Sequence, residues 1–173
     1  MLKGNKILLR AMEPTDVDTL YKWENDPEMW NVTGTFAPVS RFALEQYVLA
    51  TEKDFFSNRQ LRLMIVENKR QTIIGSIDLF NYNPMYFRAE IGILIIQEFQ
   101  RRGMGKESLK LFIDYAHRTL GLHQVYCNIQ SDNKTSIALF KNLGFQFVGR
   151  KKDWVKEDGV WKDILLYQLL LRS

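Results

Sequence analysis

The sequence predicts one α/β domain, spanning residues 1–173, in which helices pack against a mixed β-sheet. The chain of 173 residues is 46% hydrophobic, which is enough for the core of one domain but leaves little room for two. Short apolar segments with strand character dominate the middle of the chain. Two amphipathic segments end at glycines, Gly121 and Gly144, as helices commonly do. Strands interleaved with helices in this way are typical of a sheet covered by helices.

The N-terminal part of the chain is predicted to contain one strand and two helices. Residues 7–10 form a short apolar strand. Residues 13–16, which read Glu-Pro-Thr-Asp, open the first helix, because proline suits a first turn and acidic residues suit its positive end. Ser40 is placed to cap the second helix, with Leu44 and Val48 on one apolar face.

The rest of the chain is predicted to alternate between strands and two further helices. The predicted strands are residues 61–67, 72–80, 88–96, 124–130, 145–149, 153–160 and 161–171. The predicted helices are residues 106–120, which carry an apolar stripe, and 133–143, which Asn133 can cap. A glycine-bearing loop, 97–105, joins the third of these strands to the longer helix.

The net charge and the cysteine content limit the kinds of ligand and the cellular compartment that we expect for this protein. The net charge is +4, with 24 basic residues spread among 20 acidic ones. Nucleic-acid-binding surfaces usually concentrate basic residues in a stripe, so we expect a small anionic ligand instead. The single cysteine, Cys127, excludes an internal disulfide and a cysteine-based metal cluster. With no apolar signal segment or membrane-length apolar run, we expect a cytoplasmic protein without metal, nucleic-acid or membrane partners.

The most informative segment is the strand, loop and helix start at residues 91–106. Gln100, Gly103 and Gly105 form the pattern Q-x-x-G-x-G between the apolar strand and the helix. Glycines at a helix start allow phosphate groups to approach the free N–H groups there. Three cations flank these glycines: Arg101, Arg102 and Lys106. The pattern alone fits a phosphate-binding loop and a glycine-ended loop with a basic surface equally well, and it is not a Walker loop.

Combined with a second motif, this loop resembles the GNAT superfamily of N-acetyltransferases. The second motif begins at Asn133 and ends in Leu-Gly-Phe at 143–145. Two N-terminal features, Leu9-Arg10 followed by Asp16 and the segment 25–28, are similar to the branch of ribosomal-protein N-terminal and spermidine-type acetyltransferases. The resemblance covers residues 7–170. It implies a mostly antiparallel twisted sheet that is splayed at its centre and carries helices on both faces.

The resemblance also implies where acetyl-CoA would bind. Backbone groups of Ile93 and Ile95 would pair with the pantetheine, and the loop 101–106 would hold the pyrophosphate. Asn133 would contact the pantetheine or cap the helix that follows, and Phe140 would pack against the cofactor. The expected cofactor-binding residues are therefore Ile93, Ile95, Gln100, Arg101, Arg102, Gly103, Met104, Gly105, Lys106, Asn133 and Phe140.

Glu90 is the candidate general base. A carboxylate in an otherwise apolar strand beside a cleft can take a proton from an amine directly or through water. The alternative is a structural carboxylate, paired with Arg88 or with backbone N–H groups. The resemblance implies direct attack of the amine on the thioester in a ternary complex, without a covalent enzyme intermediate.

The general acid is missing from its expected place. Many members of the superfamily carry a tyrosine seven residues after the asparagine, where this chain has Phe140. Ser136, Tyr126 or water could donate the proton instead, or the thiolate leaves unaided. The alternative function is a non-catalytic module that binds acyl-CoA or regulates another protein.

The acceptor is expected to be a primary amine, either a polyamine or diamine, a protein N-terminus or another small amine. The residues expected at the acceptor side are Glu24, Glu28, Trp30 and Phe36. Acidic residues there suit a polyamine, but segment 33–38 lacks the further acidic pair of spermidine-type members. A homodimer is also expected, because the C-terminal segment 162–171 is long and apolar.

Overall fold

A computed structural model describes residues 1–27, 29, 37–50 and 55–171. Its strands form one eight-stranded sheet in the order β1-β2-β3-β4-β5-β6-β8-β7. The strands are β1 (Leu2–Lys3), β2 (Ile7–Ala11), β3 (Leu61–Glu67), β4 (Thr72–Asn83), β5 (Arg88–Ile95), β6 (Gln124–Gln130), β7 (Gln146–Glu157) and β8 (Val160–Leu170). The α-helices within the described ranges are α1 (Val17–Glu24), α2 (Arg41–Ala50), α3 (Phe55–Asn58), α4 (Met104–Arg118) and α5 (Lys134–Lys141). None of them combines the length and the apolar character that a membrane-crossing helix requires.

Helices cover both faces of the sheet. Adjacent residues of a strand point to opposite faces, so Met64 and Ile65 of β3 mark the two sides. Met64 packs in a cluster with residues of α1 and α2, including Leu20 and Leu44. Ile65 packs in the larger cluster, which contains Phe112 of α4. The predicted mixed, mostly antiparallel sheet with helices on both faces is confirmed.

Polar side chains hold the helix starts that the sequence indicates. Arg10 donates to both carboxylate oxygens of the buried Asp16, at 2.7 and 2.8 Å, beside the short 3-10 turn Pro14–Asp16 that leads into α1. Ser40 accepts a hydrogen bond from the N–H of Ala43 at 3.1 Å, as expected for the cap of α2.

The structure corrects several predicted boundaries. α4 begins at Met104 rather than at residue 106, because Gly103 adopts a left-handed conformation (φ 82°) and ends the preceding loop there. The three C-terminal segments predicted from the sequence form one long hairpin, in which β7 continues through a bulge between Lys151 and Val155. The predicted turn at Asp158 and Gly159 is confirmed, since both residues have positive φ.

The sheet opens at its centre, between β5 and β6. β5 pairs with β4 along nearly its whole length, from Arg88 to Ile95. It pairs with β6 only at Arg88–Glu90, in the parallel direction, and the two strands then diverge. β6 continues alongside β8 to Gln130. The predicted splay is therefore confirmed, and it begins immediately after Glu90.

Candidate active site

The divergence of β5 and β6 creates a cavity of about 700 Å³. Residues 90–94 of β5 form one wall, and residues 127–130 of β6 form the other. One side is closed by Asn133, which caps α5, and by Ser136 and Phe140 within that helix. This volume lies in the range of small-molecule sites. The opening therefore brings the predicted Glu90, Ile93, Asn133 and Phe140 to one place.

One wall of the cavity presents an unpaired strand edge. Ile96 donates its N–H to the carbonyl of Ile74 at 2.9 Å, so its peptide group faces β4. Because peptide groups alternate in direction along an antiparallel pair, those of Ile93 and Ile95 face the opening. The Ile95 carbonyl accepts a hydrogen bond from the side-chain amide of Gln100 at 2.8 Å. Ile93 has no strand partner on this side within the described residues, and an extended polar chain could pair with it.

The start of α4 supplies N–H groups next to this edge. The first intrahelical bond runs from the N–H of Glu107 to the carbonyl of Gly103, at 3.1 Å. The N–H groups of Met104, Gly105 and Lys106 precede it and have no acceptor within the helix. Together with the helix dipole, they favour an anion at this position.

The predicted cations surround this helix start, and the structure adds another. Arg101, Arg102 and Lys106 are all exposed. The guanidinium of Arg102 lies over the ring of Phe99, 5.3 Å from its centre. Lys6, in the turn between β1 and β2, donates to the carbonyl of Arg102 at 3.1 Å. Sequence reasoning missed Lys6 because it lies far from the motif along the chain.

Glu90 is held by two amides rather than by Arg88. Asn81 donates to Oε2 at 3.1 Å, and Asn128 donates to Oε1 at 2.7 Å. Lys151 donates to Oδ1 of Asn128 at 3.0 Å. An ammonium group can only donate, so Lys151 fixes the orientation in which the amide nitrogen of Asn128 points to Glu90. Arg88 instead lies over the ring of Tyr86, 5.2 Å from its centre.

The side chains near Glu90 show which residues could act as a nucleophile or as the general acid. Burial, together with the nearby Glu90, raises the pKa of the Cys127 thiol. Cys127 lines the cavity but stays protonated at neutral pH, which makes it a poor nucleophile. Of the two predicted substitutes for the acid, Ser136 lines the cavity and Tyr126 does not. Phe140 is buried and packs edge-on against Phe145.

A partly buried ionic cluster lines the same cavity. Arg62 and Asp78 are direct partners of β3 and β4, and their Nε and Oδ1 atoms are 2.5 Å apart. Arg62 also reaches Oε1 of Glu24 at 3.4 Å. Burial lowers the pKa of Arg62, but the two carboxylates raise it above its usual value. Two carboxylates, of Asp78 and Glu24, therefore share this guanidinium, and we call the three residues the Arg62 cluster.

The structure places some predicted acceptor residues and not others. Glu24 lines the cavity, whereas Glu28, Trp30 and Phe36 lie outside the described residues. In the described part of the chain, no three His, Cys, Asp or Glu side chains come together as a metal site would require. Sequence reasoning missed four residues of the site: Arg62, Asp78, Asn81 and Asn128. The only available signal was a charged residue within an apolar strand, and it applies to Arg62 and Asp78.

Comparisons with known proteins identify the family of the chain. A family model described as an acetyltransferase (GNAT) domain matches residues 6–146. An uncharacterised N-acetyltransferase, p20, of Bacillus licheniformis is 28% identical over 99% of this chain and 97% of its own. The ribosomal protein uS5-alanine N-acetyltransferase of Escherichia coli K12 is 36% identical over 56% of this chain and 50% of its own. A crystal structure of spermidine N-acetyltransferase from Vibrio cholerae, in complex with CoA and spermine, has a TM-score of 0.87 at 22% identity and covers 96% of both chains. The chain belongs to the GNAT family of N-acetyltransferases.

Proposed function

We propose that the protein transfers the acetyl group of acetyl-CoA to a primary amine of a small polycationic acceptor. The amine attacks directly within a ternary complex, and Glu90 takes its proton. The observation that carries this proposal is the wall formed by β5. Glu90 and the unpaired edge at Ile93 lie on the same strand and line the same cavity. An acceptor and a donor bound there would meet beside a carboxylate.

The residues around the opening fit coenzyme A. The N–H and carbonyl of Ile93 suit the amides of a pantetheine arm lying as an added strand. The unpaired N–H groups at the start of α4 suit a pyrophosphate, with Arg101 and Lys106 nearby. Gln100 serves this site indirectly, because its amide holds the Ile95 carbonyl. Asn133 caps α5 by accepting the N–H of Ser136 at 3.0 Å.

Each residue of the site has a distinct chemical task. Acetyl-CoA, when bound, supplies the activated acyl group. Glu90 accepts the proton of the attacking amine, while Asn81 and Asn128 hold its two oxygens in place. Ser136 lines the cavity, and its hydroxyl can donate the proton that Phe140 cannot supply to the departing thiolate.

The charge of the cavity favours an acceptor with more than one positive charge. The cavity is lined by one guanidinium, of Arg62, and by four carboxylates: Glu24, Asp78, Glu90 and Glu157, the last of which forms an ion pair with Lys162. The Arg62 cluster lies near the reacting end, because Asp78 pairs with Gly92, two residues from Glu90, and it contains two carboxylates and one guanidinium. A second ammonium group on the acceptor would be attracted to this cluster.

An amine panel tests the proposed function through release of free thiol from acetyl-CoA. We expect spermidine and spermine to react about tenfold faster, by kcat/KM, than butylamine, which has the same reacting group but only one charge. Short peptides with free N-termini serve as the competing acceptor class. Faster reaction with the peptides would contradict the polycationic acceptor but would leave the acetyltransferase activity in place. Binding of acetyl-CoA without thiol release from any amine would instead support the non-catalytic alternative.

A Gly105→Ala variant tests the cofactor site separately. A Cβ at this position would lie 3.6 Å from side-chain atoms of Ile95 and Leu139, which is ordinary contact, so the fold should tolerate it. The added methyl group would narrow the space between Ile95 and Leu139 beside the start of α4. We expect about a tenfold loss of acetyl-CoA affinity by titration calorimetry, with little change in unfolding temperature.

Gly149→Ala is the matched control for this measurement. A Cβ there would meet nothing within 4 Å, and the residue lies on β7. Its affinity for acetyl-CoA should equal that of the unmodified protein. Equal affinities in all three proteins would remove the start of α4 from the cofactor site.

A further inference from the structure

A second cavity, of about 380 Å³, lies beside the start of α4 and apart from the opening between β5 and β6. Residues of three separate segments line it: the turn between β1 and β2, the turn between β3 and β4, and the loop before α4. We call it the basic cavity. It shares Arg102 and Met104 with the helix start described above, but none of the residues that line the central cavity.

Hydrogen bonds fix the three segments to one another. The side-chain amide of Asn68 donates to the carbonyls of Gly4 and Asn5, at 3.0 and 3.1 Å, which joins the two turns. The carboxylate of Glu107, in the first turn of α4, accepts the N–H groups of Asn5 and Lys6. Lys6 in turn donates to the carbonyl of Arg102. The walls of the basic cavity are therefore positioned without any ligand.

Positive charge dominates the basic cavity. Its cations are Lys6, Lys69, Arg70 and Arg102, and its carboxylate is Glu67. Glu67 already accepts the N–H groups of Lys69 and Arg70, at 3.1 and 2.7 Å. Arg70 pairs with Glu98 at 3.4 Å. Within the described residues, Lys6, Lys69 and Arg102 form no ion pair.

The floor of the basic cavity is aromatic and holds two of the cations. Phe99 is buried, and the guanidinium groups of Arg70 and Arg102 lie over its ring at 5.8 and 5.3 Å from the centre. Two like charges are thus held close together beside Lys6 and Lys69, which form no ion pair within the described residues. Such an arrangement is stabilised by a ligand with more than one negative charge, and Arg and Lys side chains suit phosphate oxygens.

We propose that the basic cavity binds a phosphate monoester group. The group could belong to the bound coenzyme, which carries a 3′-phosphate in addition to its pyrophosphate, or to a separate phosphate ligand. The first source rests on the proposed function, because it requires coenzyme A at the start of α4. The second source does not.

A double variant, Lys6→Gln with Lys69→Gln, removes two charges and leaves somewhat shorter, neutral polar side chains in their place. Lys110→Gln is the control, because Lys110 is exposed on α4 and lies outside both cavities. Titration calorimetry would compare coenzyme A with dephospho-coenzyme A. A further titration would add inorganic phosphate to protein saturated with dephospho-coenzyme A, and to free protein. Unfolding curves would verify that each variant is folded.

Each outcome distinguishes a source or overturns the proposal. A preference of about tenfold for coenzyme A over its dephospho form, lost in the double variant and kept in Lys110→Gln, assigns the cavity to the coenzyme. Equal binding of both coenzymes, with phosphate binding that the double variant loses, assigns it to a separate ligand. If no coenzyme binds, the proposed function fails, and phosphate binding by the free protein still tests the cavity. Phosphate and coenzyme affinities that do not depend on Lys6 and Lys69 would overturn the proposal.

Discussion

Replacing Glu90 by Gln is expected to lower turnover by about 10²- to 10⁴-fold, the usual contribution of a general base. The substitution keeps the size of the side chain but removes its ability to take the proton of the attacking amine. Acetyl-CoA affinity should change less than about twofold, because the proposed contacts to the coenzyme come from backbone groups and the start of α4. Steady-state kinetics with the best amine of the panel would give kcat, and calorimetry would give the affinity.

Two controls separate catalysis from structure in this experiment. Glu45→Gln changes an exposed carboxylate on α2 and should leave kcat unaltered. Asn128→Asp would keep the shape of the partner but replace a donor by a carboxylate beside Glu90, so it should also lower kcat. Full turnover in a folded Glu90→Gln protein would exclude Glu90 as the base and leave the amides around it with a structural role only.

Replacing Arg62 by Met should destabilise the protein by about 3–5 kcal/mol, the usual cost of leaving a buried charge without its partner. The substitution would leave the carboxylates of Asp78 and Glu24 close together with no guanidinium between them. Urea unfolding at neutral pH would measure the loss. Arg118→Met provides the matched control, because it removes an exposed pair with Asp114 one helical turn away. That control should cost less than about 0.5 kcal/mol.

The pH dependence of the Arg62→Met defect has a defined sign. Burial raises the pKa of Asp78 even while Arg62 is present, and removing the guanidinium can only raise it further. A carboxyl whose pKa is raised on folding stabilises the fold at low pH, and this stabilisation is lost as pH rises through the folded value. The defect should therefore be smaller near about pH 5 than near pH 7. An equal defect for Arg62→Met and Arg118→Met at neutral pH would contradict the burial argument.

Local sequence patterns were sufficient for the elements that depend on local chemistry. The caps formed by Ser40 and Asn133 could be predicted, because a short polar side chain just before apolar residues at helical spacing usually caps the helix. The strands Leu61–Glu67 and Gln124–Gln130 were bounded as predicted, since turn residues flank them on both sides. By contrast, β1 has two residues, too few for any periodicity to appear.

Residues that line the cavity were predicted where a local segment carries a motif or an unexpected charge. Glu90, Ile93 and the loop before α4 lie close together in sequence, and a second motif indicated Asn133 and Phe140. Arg62 and Asp78 face each other because of the register between β3 and β4. Neither strand sequence alone determines that register. Asn128 reaches Glu90 across the parallel junction of β5 and β6, 38 residues along the chain. Predicting contacts of this kind requires the order of the strands in the sheet, which the spacing of residues in the sequence does not give.

The short junction of β5 and β6 would serve as a pivot if the two arms of the sheet, β1–β5 and β6–β8, moved apart. Within the described sheet, β5 and β6 are joined at three residue pairs, from Arg88–Gln124 to Glu90–Tyr126, and the carbonyl of Phe87 accepts the N–H of His123 just before them. Rotation about a pivot moves distant points more than near ones. Ile95 and Gln130, at the outer ends, would therefore separate most, while Glu90 and its bond to Asn128 lie at the fulcrum. A bulkier ligand that forced the arms apart would therefore displace the outer ends first and the Glu90 carboxylate least.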